Sequence, residues 1–305
     1  MTTTIESDEA RRGSAYVLSA YLIWGAFPLY FAALKPAGAW EILAHRIVWS
    51  LVFCGLILTV RKDLAWIGPA LRNRRLMLGM TAAALLIATN WGTYVFAVIS
   101  GQTTEASLGY FLNPIVTVAL GVVVLGEQLR RPQFVAVIIG ALAFVYLTVA
   151  TGTIPYIPLI LAVSFGLYSL VKKRVGVSLT AMRGLALETA ILAPIAIGII
   201  IWISLAGVAT FGTVSTGHTL LLMSNGIVTA IPLLLFAAAA RRVPLVTIGL
   251  FQFITPVLQL LVAIYLLDEH MSRERWIGFG IVWIALIILS VDLVQRRRLR
   301  ARPAL

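Results

Sequence analysis

The chain has 305 residues, of which 60% are apolar or aromatic and 12% charged, with a mean hydropathy of +0.98. A soluble domain is nearer half apolar and a quarter charged. This composition therefore excludes an ordinary soluble enzyme, a disordered chain and a secreted disulfide scaffold, and makes lipid the expected solvent. One cysteine, Cys54, allows no internal disulfide, and three histidines with 12 acids argue against a metal site. A net charge of +12 points either to nucleic acid or to basic residues retained on one side of a membrane.

Ten apolar runs are long enough to cross a bilayer core of about 30 Å as helices. In chain order they cover 14–34, 40–60, 76–99, 106–125, 134–150, 155–171, 181–204, 219–240, 246–267 and 276–294. None alternates apolar and polar residues as a barrel strand does, so the class expected is an all-α polytopic membrane protein. The first run follows Arg11-Arg12, but at 21 residues it exceeds a signal peptide's apolar region of about 7–15 and reads as an uncleaved span.

Lys and Arg set the expected orientation. With the N-terminus inside, 19 of the 24 basic residues fall in the cytoplasmic segments 1–13, 61–75, 126–133, 172–180, 241–245 and 295–305. Lys35, Arg273 and Arg275 fall outside, and Arg46 and Arg183 lie in spans. This bias predicts both termini in the cytoplasm. It also removes nucleic acid as a partner, because the charge is scattered through short loops. The tail Arg296-Arg297-Arg298-Leu299-Arg300 reads mainly as a topology signal, with anionic headgroups as a further contact.

The chain repeats at an offset of 142 residues. Leu112-Asn113-Pro114 corresponds to Ile254-Thr255-Pro256, Gly126-Glu127 to Asp268-Glu269, Arg131 to Arg273 and Phe134 to Trp276. Trp24-Gly25 matches Phe165-Gly166, and Arg46 matches Glu188. Two halves of five spans follow, 14–150 and 155–294, with 295–305 as a basic cytoplasmic tail. Five is odd, so the halves enter the membrane in opposite senses, as in inverted-repeat transporters.

Ionisable groups inside a bilayer are costly and usually face an interior cavity. Span two carries Glu41, His45 and Arg46, where Arg46 either snorkels outward, pairs with Glu41 or serves the substrate path. In span three, Asn90, Trp91 and Tyr94 form a polar–aromatic stripe that suits either a substrate cavity or helix–helix hydrogen bonds. Glu188 in span seven is flanked by apolar residues on both sides, and a wet cavity is favoured over pairing or neutralisation. Tyr110, Asn113 and Gln252 complete the candidate pathway, with Tyr110 and Gln252 at aligned positions. Pro114 and Pro256 interrupt spans four and nine and are candidate hinges. If Arg46 and Glu188 flank the midplane, either the pair receives a zwitterionic or polar solute or Glu188 carries a proton. No G-x-x-x-x-G-K-[ST], HExxH or GxSxG pattern occurs, so no nucleotide or other cofactor is expected.

The string Glu105-Ala106-Ser107-Leu108-Gly109-Tyr110-Phe111-Leu112-Asn113-Pro114, followed by Leu125-Gly126-Glu127, resembles the RarD branch of the EamA-type drug/metabolite transporters. His45-Arg46, Asn90-Trp91, Ser164-Phe165-Gly166-Leu167-Tyr168, Leu187-Glu188-Thr189 and Pro232-Leu233-Leu234-Leu235-Phe236 extend the likeness over all ten spans. The resemblance implies a bacterial inner-membrane permease with two EamA repeats. The expected function is secondary transport of a small metabolite or drug-like molecule by alternating access. A membrane enzyme acting on lipid and a non-transporting sensor or scaffold are the alternatives.

Overall fold

The computed structural model describes residues 2–126, 128, 130–175 and 179–300, and every regular element among them is a helix. Glu127 lies outside the described residues, as do 301–305 and the side chains of the tail arginines. The first half comprises α1 (Thr2–Gly25), α2 (Phe27–Ala33), α3 (Ala39–Val60), α4 (Ile67–Arg72), α5 (Arg74–Ile99), α6 (Thr103–Leu125) and α7 (Arg131–Thr151). The second comprises α8 (Tyr156–Val175), α9 (Ala181–Leu205), α10 (Thr216–Met223), α11 (Asn225–Ala240), α12 (Leu245–Phe251), α13 (Ile254–Tyr265) and α14 (Arg273–Arg300).

Local chemistry explains the boundaries. Asn73 accepts from the Leu76 amide and Thr180 from the Arg183 amide, capping the first turns of α5 and α9. Gly126 and Gly152 close α6 and α7 with φ of 67° and 68°, a left-handed conformation that costs other residues more. Pro28 follows the break between α1 and α2, and Pro256 follows the break between α12 and α13.

Ten helical stretches are long and apolar enough to cross a membrane, from Arg11–Ala33 to Arg273–Asp292. They agree with the ten apolar runs to within a few residues. Between 22% and 50% of each apolar window is buried inside the protein, so at least half of it is partly or fully exposed. An apolar exterior of that extent is stable only in lipid.

The helices of one half pack chiefly on those of the other. The most extensive contacts are α6 with α8, α3 with α9, α5 with α8, α7 with α14 and α1 with α11. Next come α3 with α11, α6 with α13, α1 with α13 and α5 with α9. Glycine permits the closest of these. A Cβ on Gly25 would sit 2.7 Å from Leu258 of α13, and one on Gly166 would sit 2.8 Å from Leu120 of α6. Both glycines thus lie against a leucine side chain of a neighbouring helix.

A buried polar and aromatic cluster between the halves

Arg46 lies on α3, two turns into a run of apolar residues, and is only 4% exposed. Its Nε donates to Thr229 Oγ1 of α11 at 3.0 Å. Its guanidinium carbon stands 4.2 Å from the ring centre of Trp91, 5.4 Å from Phe31 and 5.5 Å from Phe27. The side chain therefore neither snorkels nor pairs with Glu41. An aromatic enclosure holds it by cation–π attraction.

Glu41 has other partners. Its carboxylate accepts from the amides of Thr210 and Phe211 at 2.7 and 2.9 Å and from the Thr210 hydroxyl at 2.9 Å. That hydroxyl also contacts His218 Nε2 at 2.8 Å. His45 stacks on Phe211 with ring centres 4.5 Å apart. The Trp49 indole donates to His45 Nδ1 at 3.2 Å. An indole N–H only donates, so Nδ1 carries no proton in this arrangement. His45 and Glu41 fasten the 209–215 loop to α3, while Arg46, one residue on, faces the interior.

Asn90 on α5 bridges to α8, donating from Nδ2 to the Leu161 carbonyl at 3.0 Å and to Ser164 Oγ at 3.1 Å. Its Oδ1 accepts from Tyr110 OH of α6 at 3.4 Å. The rings of Tyr94 and Tyr110 lie 5.4 Å apart, and Tyr94 OH is buried with no partner among the described residues. Asn90, Trp91, Tyr94 and Tyr110 therefore form one continuous surface with Arg46 and its rings. Asn113 Oδ1 is buried without a partner too. Gln252 is the C-cap of α12, where its side chain makes no hydrogen bond to a described residue. The Tyr110 hydroxyl meets Asn90 rather than Gln252.

Glu188 differs from the favoured expectation of a wet cavity, because its side chain is 4% exposed and ion-paired. Oε1 accepts from Lys172 Nζ at 2.8 Å and from Tyr168 OH at 3.3 Å. Both donors lie on α8, one helical turn apart. Lys172 had been counted with the loop charges, although the Tyr168–Lys172 spacing of four residues was the available signal. Thr229, Phe27 and Phe31 were missed for a different reason: nothing in their local sequence sets them apart from helix-packing residues.

Arg183 pairs with Asp63, joining α9 to the loop after α3 through Nε–Oδ2 at 3.0 Å and a second contact from Nη2 to Oδ1. The Arg183 hydrogen bond holds the Asp63 carboxyl below the usual carboxylate range. A carboxyl whose folded pKa is depressed contributes stability above its unfolded pKa of about 4 and loses it as pH falls through the folded value. Asp63→Asn is therefore expected to lower thermal stability slightly at neutral pH. The two melting curves should converge below about pH 4. A constant difference down to acid pH would count against this tether.

Pro114 and Pro256 are not structurally alike. Pro114 sits inside an unbroken α6, whereas Pro256 is the third residue of α13, just past a break. The Ser107 hydroxyl of α6 donates to the Pro256 carbonyl at 2.7 Å, so the two proline-bearing spans touch. At the end of α6 that begins at Thr103, the Glu269 carboxylate accepts from the Thr103 and Thr104 amides at 2.6 and 2.8 Å. An anion there satisfies orphan N–H groups and the helix dipole together. Glu105 pairs with Arg275 at 2.9 Å beside it.

Comparisons with known proteins agree with this architecture. Residues 11–149 match the EamA-like transporter family. The chain is 48% identical to Protein RarD of Streptomyces exfoliatus over 97% of this chain and 93% of that protein. It is 40% identical to the uncharacterized transporter YojE of Bacillus subtilis, over 95% and 97%. It is 35% identical to Protein RarD of Escherichia coli K12, over 96% and 99%. One crystal structure shares the fold with a TM-score of 0.57 at 15% identity, covering 92% of this chain and 98% of that one. The chain is a multi-pass bacterial inner-membrane protein, a membrane transporter by family, and it belongs to the EamA-like transporter family with the RarD proteins as its relatives.

Proposed function

We propose that this protein is a secondary transporter that moves a small metabolite or drug-like molecule by alternating access, using two inverted five-helix repeats, 14–150 and 155–294. The observation that carries the reading is the position of the buried polar groups. Arg46–Thr229 and Asn90–Ser164 each join one half to the other, so relative motion of the halves would remake these contacts.

The helix pairings add support. Exchanging the halves turns the α1/α11 contact into α8/α5, α6/α8 into α13/α1, and α3/α11 into α9/α5. The α3/α9, α6/α13 and α7/α14 contacts map onto themselves. A set of pairings closed under exchange is what a pseudo-twofold axis in the membrane plane produces. A lipid-modifying enzyme or a scaffold has no need of such symmetry.

Purified protein in liposomes tests the reading. Protein-dependent uptake or release from a metabolite mixture supports transport, whereas chemical conversion of lipid without flux supports the enzyme alternative. For orientation, reporter fusions after Leu305 and within 61–75 are expected to score cytoplasmic. A periplasmic score at either position overturns the proposed topology. For the hinges, Pro114→Ala and Pro256→Ala are expected to insert normally and slow interconversion of the two access states. Cysteine crosslinking that traps both states as fast as in the parent removes the hinge role.

A further inference from the structure

Building on that transport reading, we propose that the cargo is a small organic anion, a carboxylate with an aromatic or apolar body, whose charge is received by Arg46. An arginine is charged at any physiological pH. Buried charges are ordinarily paired, because desolvation costs several kcal/mol per ion. The other deeply buried charges in the spans have their hydrogen-bonding capacity met, and Glu188 is ion-paired. Glu41 accepts two amides and a hydroxyl, and Glu188 accepts an ammonium and a phenol. Arg46 differs. Among the described residues no Asp or Glu lies within 4.0 Å of it, and its hydrogen bond to Thr229 uses Nε alone. The Nη nitrogens have no acceptor among the described residues. Cation–π contacts with three rings offset about 2 kcal/mol when desolvated and leave the net charge in place.

The surroundings define the rest of the ligand. Free Nη N–H groups suit bidentate binding of a carboxylate. Tyr94 OH, buried without a partner, supplies a further donor. Phe27, Phe31 and Trp91 offer flat apolar faces for the body of the molecule. A zwitterion is disfavoured, because Glu188, at the matching repeat position, already holds Lys172. Glu41, on the same helix as Arg46, is likewise taken up by two amides and a hydroxyl. Arg46 is only 4% exposed in this conformation, so entry of a ligand of this size requires the alternation proposed above.

The test uses the full chain in lipid nanodiscs, with binding read by thermal shift and tryptophan fluorescence. The probes are phenylacetate and hexanoate, their neutral amides, and phenethylamine. The carboxylates are expected to bind about tenfold or more tighter than the amides, with the amine weakest. Arg46→Gln should abolish the preference, and Arg46→Lys should retain part of it. Tyr94→Phe should weaken the carboxylates more than the amides, which keeps the proposal testable if Arg46→Gln fails to fold. Equal binding of acid and amide, absence of carboxylate binding in the parent, or an undiminished preference in Arg46→Gln overturns the proposal. Liposome flux of a neutral or cationic solute, without carboxylate binding, would remove the anion assignment and leave transport standing. Carboxylate binding with no flux of any solute would do the reverse.

Discussion

Glu188→Gln is expected to lower solute flux by about tenfold or more while the protein remains inserted and folded. The substitution keeps the size of the side chain and an oxygen that can still accept from Tyr168 OH. It removes the charge that meets Lys172 Nζ at 2.8 Å. Lys172 is 34% exposed, so its ammonium can rehydrate and insertion should survive. The pair joins α8 to α9, and both helices pack on helices of the first half. A carboxylate that exchanges partners, or takes up a proton, as the halves move would make this pair part of the transport cycle. Under the proton reading, residual flux in Glu188→Gln also loses its pH dependence. Lys172→Met serves as the complementary variant. It leaves a buried carboxylate unpaired and should harm folding more than Glu188→Gln does. Parental flux across the pH range in Glu188→Gln would mark the acid as structural and leave the site with Arg46, Asn90, Tyr94 and Tyr110.

Gly226→Ala is expected to destabilise the protein more than any other single glycine-to-alanine change. The new Cβ would stand 2.1 Å from the Trp49 carbonyl oxygen and 2.5 Å from its carbon. These are backbone atoms of α3 and cannot rotate away as a side-chain end can. Relief requires α3 and α11 to separate, and Arg46 is bonded across that same interface to Thr229. Overpacking typically costs about 1–3 kcal/mol and more where the backbone resists. Gly198→Ala is the control, since its Cβ would meet nothing within 4 Å. Removing a helical glycine there should be neutral or stabilising by up to about 1 kcal/mol. Melting in detergent and monodispersity by size exclusion would check both. A Gly226→Ala protein that melts with the parent would show that α3 and α11 are not held this closely.

What the sequence determined by itself was the membrane class, the ten spans and the family. These are set by local quantities: the length of an apolar run, the spacing of glycine and proline, and a long motif from Glu105 to Pro114. The sequence also marked Arg46, Asn90 and Glu188 as unusual, because a polar residue in an apolar run is visible without knowing its neighbours. It could not say what each one meets. Glu188 lies 16 residues from Lys172, Asn90 74 from Ser164 and Arg46 183 from Thr229. Only helix packing chooses among such distant partners. Hence the tertiary structure gave Glu188 a lysine and Glu41 a pair of loop amides, and left Arg46 among three rings without a carboxylate. The physical reason is that burial cost is set by one residue's surroundings in its own run, whereas compensation of that cost depends on which helices touch.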